Sequence, residues 1–327
     1  MEMKDKLAVL VPAYNGGELL RESVLSCAAG GLPPDRYALI VVDNCSTDGV
    51  PDQLPSHDRN GAPIIVHRNS QNVGRVENWN VAVSIADRMG FGLITFLFVG
   101  DRWIADGALR ELLQIMERSG AALGITPIII VEGHEPDPRN GFLAPRVTIG
   151  GRDRLLDCTT FLGEAVRIGY IPLSPLQANV YRLQPGRKLW FDPATPMTAD
   201  IDGSVAFLDA QPGTVVILAA PYLSWRAHSK RYVMSKPILE GMKDNSESVA
   251  RVSAGTGIAV DWGVANALQV LGGVFRARRF KTWRQRMQCV GDVCRFIAFK
   301  RGRVSIVALA KYGVRKVILR REYVSFV

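Results

Sequence analysis

Residues 38–48, ALIVVDNCSTD, contain the pattern that decides the fold. Four branched apolar residues, from Leu39 to Val42, are followed at once by Asp43 and a short polar run. A short apolar run that is closed by turn-forming residues predicts a β-strand buried on both faces. A carboxylate directly after such a strand lies at the sheet edge where open α/β sheets bind ligands. We therefore expect Asp43 to belong to a ligand site.

Two other segments have the same form. LAVLVPAYN at residues 7–15 ends in Tyr14 and Asn15, and LITFLFVGD at residues 93–101 ends in Gly100 and Asp101. Segments with helical periodicity separate these strands, at 18–29, 76–89 and 107–119, and a further short strand is predicted at 64–67. Strands that alternate with helices predict an α/β fold with a mostly parallel sheet flanked by helices.

The pattern is looser after residue 121. We predict strands at 122–131, 178–182 and 215–219, and helices at 155–168 and 203–210. The Gly- and Pro-rich residues 132–153 predict a long loop, and loops of this length are usually functional. From about residue 236 the sequence is helical and basic, with amphipathic segments at 260–275 and 283–299. We therefore predict an α/β domain at residues 1–235 and a helical basic region at residues 236–327.

Positive charge is concentrated in the last part of the chain. The 327 residues carry a net charge of +9. Residues 273–327 contain 15 Lys and Arg residues against Asp292 and Glu322, a net charge of +13, so the remainder carries −4. A nearly neutral body with a basic end predicts contact between that end and an anionic surface.

Cysteines and apolar runs predict where such a chain resides. The five cysteines have no metal-type spacing and are odd in number, which favours free thiols in a reducing compartment. The first 15 residues do not have the pattern of a signal peptide, and no apolar run reaches about 18 residues, so no spanning helix is predicted. Nothing in the sequence fixes an oligomeric state.

Five motifs occur in a fixed order between residues 5 and 230. They are VPAYN at 11–15, VDNCSTDG at 42–49, NVG at 72–74 with Asn80 eight positions after Asn72, VGD at 99–101, and TADID at 198–202, with WRAHS following at 225–229. In this order they resemble the family-two inverting nucleotide-sugar glycosyltransferases. The resemblance implies the GT-A fold, a Rossmann-like mostly parallel sheet flanked by helices, and makes residues 1–235 the catalytic domain.

The resemblance also implies a nucleotide-sugar donor, a UDP-, GDP- or dTDP-sugar, and the residues that hold it. In the family, the first Asp of the second motif accepts hydrogen bonds from the base or ribose, which assigns that role to Asp43. The other positions implied to line the nucleotide site are Pro12, Tyr14, Asn15, Asn72, Gly74, Asn80, Gly100 and Arg226.

Two further roles follow from the resemblance, those of metal ligand and catalytic base. A divalent ion, Mg²⁺ or Mn²⁺, neutralises the leaving diphosphate in the family. Asp101 occupies the metal-contacting position of the VGD segment, where Val99 replaces the family's first Asp. His228 is implied to be either a metal ligand or a diphosphate contact. The resemblance assigns the base to Asp200, and a shift of register would assign it to Asp202.

The basic end of the chain suggests the acceptor. Basic clusters interleaved with apolar and aromatic residues are typical of segments that bind an anionic membrane surface. We predict peripheral attachment at the cytoplasmic face of the membrane and a glycan or lipid-linked acceptor, as in cell-envelope polysaccharide biosynthesis. No nucleic-acid-binding motif accompanies the clusters, so nucleic acid is not a predicted partner.

Two alternatives remain. A nucleotidyltransferase of similar fold would need a Gly-rich loop with Arg or Lys after the first strand, and here Gly16-Gly17 is followed by Glu18. A non-catalytic binding protein that descends from a GT-A enzyme is favoured by Val99 and Ala199, which replace acidic residues of the family's motifs.

Overall fold

The structure is a computed structural model of the 327-residue chain. It describes residues 6–104, 107–132, 142–144, 153–169, 171–173, 175–184, 189–210, 213–227, 238–279, 282–300 and 303–317. These residues divide into two compact units, one formed by Met1–Cys158 with Leu173–Ala227, the other by Thr159–Pro172 with His228–Val327.

The first unit contains all the strands of the described residues. They are β1 Leu7–Ala13, β2 Tyr37–Asp43, β3 Ile64–Arg68, β4 Leu93–Phe96, β5 Arg102–Trp103, β6 Leu123–Ile125, β7 Ile128–Glu132, β8 Phe142–Ala144, β9 Arg154–Asp157, β10 Asn179–Arg182, β11 Thr214–Ile217 and β12 Leu223–Ala227. An eight-stranded sheet has the order β3-β2-β1-β4-β10-β6-β11-β9, and a four-stranded sheet has the order β5-β12-β7-β8.

The large sheet is mostly parallel, as the sequence predicts. The β3-β2, β2-β1, β1-β4 and β6-β11 pairs are parallel, whereas both neighbours of β10 run against it. All seven residues of β2 are buried, because both faces of the sheet are covered. The register pairs Ala13 with Asp43 and Asp43 with Arg68, so the carboxyl ends of β1, β2 and β3 form one row. Residues that follow these three strands therefore meet at one edge.

In the described part of the first unit there are four α-helices, and a fifth begins at its boundary. The four are α1 Glu18–Ser26, α2 Arg75–Arg88, α3 Ala108–Ser119 and α5 Ala199–Asp209, and the fifth is α4 Cys158–Ile168. Helix α2 packs against β1 and β2, and α3 packs against β6 and β11. The predicted α/β architecture is confirmed.

Three predicted elements differ in the structure. The predicted strand 122–131 is two strands in different sheets, β6 and β7, because Pro127 cannot donate a ladder hydrogen bond and interrupts the run. The predicted helix 155–168 begins as strand β9, which pairs with β11, and becomes helical only at Cys158. The predicted strand 93–99 ends at Phe96.

The second unit is helical. Besides most of α4 it contains α6 Ile238–Thr256, α7 Trp262–Arg279, α8 Trp283–Lys300 and α9 Ile306–Val317. Helix α7 packs against α8 and α9, and α6 packs against α8. None of the helices in the described ranges combines the length and apolar character that a bilayer crossing requires.

Candidate functional site

Asp43 is the last residue of β2, and its side chain is fully buried at the carboxyl edge of the sheet. One carboxylate oxygen, Oδ1, accepts a hydrogen bond from the backbone N–H of Ser46 at 3.0 Å. The other, Oδ2, accepts no hydrogen bond from any residue that the structure describes, and Arg68 Nη1 lies 3.6 Å from it. A buried carboxylate oxygen without a hydrogen-bond donor is costly, so this oxygen is prepared for a ligand that donates one.

The loop after β1 is fixed beside Asp43. Asn15 has a positive φ of 47°, a conformation that Asn adopts more readily than most residues. Its backbone N–H donates to Ser46 Oγ at 2.9 Å, and its Oδ1 accepts from the Thr47 backbone N–H at 2.8 Å. Tyr14, the residue before it, is 52% exposed. The structure thus brings Asn15 to the β2 loop, as predicted for a shared ligand edge, and leaves Tyr14 on the surface there.

A network of side-chain amides supports this edge, and three of its members, Asn44, Asn69 and Asn78, are buried and were not predicted as site residues. Asn44 Nδ2 donates to Asn72 Oδ1 at 2.8 Å, and Asn44 Oδ1 accepts from Asn69 Nδ2 at 3.1 Å. Asn69 also donates to Asn78 Oδ1 at 2.8 Å, and Asn78 donates to the Val42 carbonyl at 3.0 Å. The sequence does contain a sign of this network, because Asn44 directly follows β2 and Asn69 directly follows β3.

Asn72 and Gly74 shape the loop that leads into α2. Asn72 Oδ1 accepts hydrogen bonds from Asn44 and from the Gly74 backbone N–H, at 2.8 and 2.9 Å. Gly74 has φ 88°, a left-handed conformation that favours glycine. Their predicted place beside the Asp43 edge agrees with these bonds, whereas direct contact with a nucleotide stays a prediction.

Asn80 is hydrogen-bonded to the segment that precedes α5. It is 3% exposed; its Nδ2 donates to the Phe191 carbonyl at 2.8 Å, and its Oδ1 accepts the Phe191 N–H at 2.9 Å. Both ends of the amide are thus engaged with a buried backbone, and Asn80 binds the segment that precedes α5. Contact of Asn80 with a nucleotide stays a prediction.

Helix α5, which follows that segment, contains the predicted catalytic base. Phe191 packs so closely on α5 that a Cβ at Gly203 would lie 2.6 Å from its ring and 2.6 Å from the Trp190 carbonyl oxygen. Asp200 and Asp202 both occupy the first turn of α5, where the helix dipole favours negative charge. Thr198, the residue before the helix, donates its hydroxyl to Asp202 Oδ2 at 2.7 Å.

The two aspartates are consequently not equivalent. Asp202 serves the helix start through Thr198, which is a structural task. Asp200 is half-buried, and its Oδ1 accepts the Ile201 N–H at 3.0 Å. Which of the two is the base stays a prediction, and the sequence resemblance assigns it to Asp200.

Asp101 lies in a second polar cluster of the first unit and is fully buried. Its Oδ2 accepts from Gln177 Nε2 at 2.9 Å, and its Oδ1 accepts the Arg226 backbone N–H at 3.3 Å. The preceding Gly100 has φ 93°, and its N–H donates to Ser23 Oγ at 2.8 Å. Asp101 thus closes the turn after β4 through protein hydrogen bonds.

Two arginines and Glu22 complete this cluster. Arg102 Nη2 donates to Glu22 Oε2 at 2.5 Å, and Arg226 Nη2 lies 2.9 Å from the same oxygen. Burial raises the pKa of the Glu22 carboxyl, but the hydrogen bond and charge of Arg102, joined by Arg226, outweigh it and hold the pKa below its ordinary value. Arg226, predicted as a phosphate contact, is 4% exposed and faces this carboxylate.

The residues that the structure describes around Asp101 do not fit a metal site. A divalent ion needs several oxygen ligands, and the VGD segment offers one buried carboxylate that is already hydrogen-bonded. Among the described residues, no three His, Cys, Asp or Glu side chains come together as a metal-binding group. His228, the second predicted ligand, lies outside the described residues. The described residues thus give no support to neutralisation of the diphosphate by a metal ion.

Pro12, the remaining predicted residue, is half-buried in β1 and pairs with Val42. It lies one residue before the row formed by Ala13, Asp43 and Arg68. The ring of Pro12 fixes its backbone φ and so restricts the conformation at the end of β1.

The chain resembles known proteins in sequence and in fold. Residues 8–169 match the model of glycosyl transferase family 2. A Bacillus subtilis (strain 168) protein, TuaG, whose name assigns it to teichuronic acid biosynthesis as a glycosyltransferase, is 30% identical over 118 residues. The match covers 36% of this chain and 45% of that relative, so the chain spans less than half of its length.

Solved structures show the same fold. The S. aureus TarS fragment 1–349 in complex with UDP-GlcNAc has a TM-score of 0.58 at 17% identity, over 89% of this chain and 80% of that one. The same fragment in complex with UDP has a TM-score of 0.52 at 19% identity, over 96% and 86% of the two chains.

The parallel sheet with its polar carboxyl edge defines a protein of the GT-A class. Together with the motifs, the family match assigns residues 8–169 to glycosyl transferase family 2.

Proposed function

We propose that this chain transfers a sugar from a nucleotide-sugar donor to an acceptor hydroxyl. The observation that carries the proposal is the Asp43 carboxylate, which is buried at the ligand-binding edge with Oδ2 accepting no hydrogen bond from the described residues. The N–H of a base or the O–H of a ribose would supply that bond. Asn15 and Tyr14, at the end of the neighbouring strand, would border the same nucleoside.

The donor to test first is a UDP-sugar. One of the similar TarS structures is a complex with UDP-GlcNAc and another is a complex with UDP, at identities that support the fold alone. GDP- and dTDP-sugars are the other donors implied by the sequence resemblance. The choice among these donors would depend on which N–H or O–H group of the nucleoside donates a hydrogen bond to Asp43 Oδ2.

The reaction is a single displacement that inverts the anomeric centre. Asp200 removes the proton from the acceptor hydroxyl while that oxygen forms a bond to the anomeric carbon. The bond from this carbon to the diphosphate oxygen breaks, and the nucleoside diphosphate leaves. A carboxylate base in this position contributes about 10²–10⁴-fold to the rate. Support comes from the position of Asp200 in the first turn of a helix that Asn80, through Phe191, holds in place.

The divalent ion, Mg²⁺ or Mn²⁺, stays a prediction of the sequence resemblance. Because the described surroundings of Asp101 do not fit an ion, the proposed displacement uses protein groups alone. Arg226 and Arg102 are the cations nearest to the Asp101 segment, and both are engaged by Glu22.

The acceptor is a glycan or a lipid-linked glycan of the cell envelope. The name of the relative TuaG, which refers to teichuronic acid biosynthesis, supports a polysaccharide as the product. Residues 132–153 are predicted to border the acceptor, and most of them lie outside the described residues. We place the enzyme at the cytoplasmic face of the membrane, because residues 273–327 carry a net charge of +13.

A second candidate is a nucleotide-binding protein without transferase activity. It is favoured by the hydrogen bonds that already occupy Asp101 and by Ala199 beside the predicted base. Both candidates bind nucleotide, and only the first transfers sugar.

The proposal is tested by calorimetry with UDP, GDP, dTDP and CDP and then with their sugars. We expect one nucleotide to bind and its affinity to fall at least tenfold in Asp43→Asn. The control is Asp52→Asn, since Asp52 lies 3.4 Å from the same Arg68 but is exposed. Equal affinities in wild type and Asp43→Asn, or no binding of any nucleotide, would contradict the proposal.

A further inference from the structure

Helix α8, Trp283–Lys300, has an exposed row of apolar side chains. Trp283 is 74% exposed, Met287 48%, Val290 42% and Ile297 42%, and Cys294 is also exposed. Their spacing of four, three, four and three residues places all five side chains on one side of a helix. We refer to this row as the α8 apolar face.

The opposite side of α8 is the one that packs within the helical unit. Phe296 is fully buried, Cys289 and Val293 are 1% and 4% exposed, and the Cys289 thiol donates to the Gly273 carbonyl at 3.2 Å. A Cβ at Gly273 would lie 2.4 Å from Val293, so α7 and α8 are in close contact. The α8 apolar face is therefore an outer surface, where a helix of this kind is normally polar. A contiguous exposed apolar row of this kind marks an interaction site.

Basic residues border the α8 apolar face. Arg284 and Arg286, which are exposed, lie on either side of it at helical spacing, and Arg295, 65% exposed, lies farther along. The one acidic residue of the helix, Asp292, is buried on the packed side, 2.9 Å from Arg295. The border of the face is consequently cationic.

We propose that the α8 apolar face docks on an anionic phospholipid surface. A lipid interface accepts apolar side chains between its head groups and attracts arginines at their border, and a tryptophan at the end of the row suits the interfacial layer. A second copy of this chain fits less well, because pairing two such faces would bring arginines of like charge together. Helix α9 of the same unit also exposes apolar residues, Ile306 at 79% and Val307 at 76%.

This inference names the surface that carries out the membrane association proposed above. It does not depend on glycosyl transfer, and the two are tested separately. A variant of the α8 apolar face should keep the calorimetric nucleotide affinity of the wild type, whereas a failure of nucleotide binding leaves vesicle binding unchanged.

The test uses the full chain and sedimentation with vesicles of phosphatidylglycerol and phosphatidylcholine, or of phosphatidylcholine alone. We expect binding to the anionic vesicles, weakened by salt, and at least tenfold weaker binding by Met287→Asp. Met89→Asp is the matched control, because Met89 is a 37% exposed methionine of the other unit. Its vesicle binding should equal that of the wild type.

A second measurement covers the case in which Met287→Asp perturbs folding. Brominated anionic lipids should quench the emission of Trp283, identified as the difference between the wild type and Trp283→Phe. Absence of quenching, unchanged binding by a folded Met287→Asp, or no binding at low salt would overturn the proposal. So would a dimer that dissociates in Met287→Asp without any vesicle binding, since the occupant would then be a second copy.

Discussion

Asn80 offers the sharpest test of how the candidate site is held together. Its amide makes two hydrogen bonds, at 2.8 and 2.9 Å, to the backbone of Phe191, a residue 111 positions away that is fully buried. The Asn80→Ala variant removes both bonds and leaves a buried carbonyl and a buried N–H of Phe191 without these partners. The hydrogen bonds between α2 and the segment before α5 are then lost, while the Trp79 ring still packs on Phe191.

The expected size of the effect follows from the number of groups left without partners. Each buried polar group that loses its partner costs about 1–3 kcal/mol, so two groups predict a loss of about 2–6 kcal/mol in the free energy of unfolding. This is a large part of the total stability of a typical domain, about 5–15 kcal/mol. Transfer should fall more than nucleotide affinity, because Asp200 follows the loosened segment while Asp43 does not.

Urea unfolding at pH 7 measures the stability, and calorimetry with the nucleotide measures the affinity. Asn60→Ala is the matched control, since Asn60 also donates its amide to a backbone carbonyl, that of Ala28 at 2.7 Å, but is exposed. We expect the control to change the stability by less than about 0.5 kcal/mol, as is usual for surface substitutions. A loss below about 1 kcal/mol in Asn80→Ala would refute the reasoning.

Three further predictions concern the base, the second cluster and the metal. Asp200→Asn should lower the transfer rate by about 10²–10⁴-fold with little change in nucleotide affinity, as measured by product formation and calorimetry. Glu22→Gln should destabilise the protein at pH 7. Because the folded-state pKa of Glu22 is lowered, the wild type's advantage should be complete above about pH 4.3 and disappear as pH falls through the lower folded-state pKa. Replacing Mn²⁺ by EDTA should change the nucleotide affinity by less than about twofold, since Asp101 is already hydrogen-bonded.

Each of these three has its own control. Asp202→Asn should retain more activity than Asp200→Asn and lose stability instead, so the reverse order would assign the base to Asp202. A stability gap for Glu22→Gln that is the same at pH 3 and pH 7 would exclude an ionic role for Glu22. Metal-dependent nucleotide binding that Asp101→Asn abolishes would show that Asp101 exchanges its hydrogen bonds for an ion.

The parts of the fold that the sequence predicts are those with the strongest local signals. The apolar runs that became β1, β2 and β4 are buried on both faces, and their composition shows this directly. Sequence patterns predict the secondary structure less well where pairing with a distant strand determines it. Residues 154–157 have an apolar pattern that also suits a helix, and they are a strand because β11 pairs with them.

The same contrast applies to the site. The position of Asp43 at a strand end is local information, so its place at the sheet edge was predictable. The roles of Asn80 and Asp101 depend on Phe191 and Gln177, which are 111 and 76 residues away along the chain. A motif shows that such residues are polar and well placed, but only the folded chain shows whether their polar atoms face a ligand or another part of the protein.

The central claim is that the carboxyl edge around Asp43 binds the nucleotide of a sugar donor. A crystal structure of the chain with the nucleotide selected by calorimetry tests it most directly. We expect an N–H or O–H group of the nucleoside within about 3 Å of Asp43 Oδ2, the distance of an ordinary hydrogen bond. A nucleotide bound elsewhere, with Asp43 Oδ2 still accepting no hydrogen bond from it, would contradict the account.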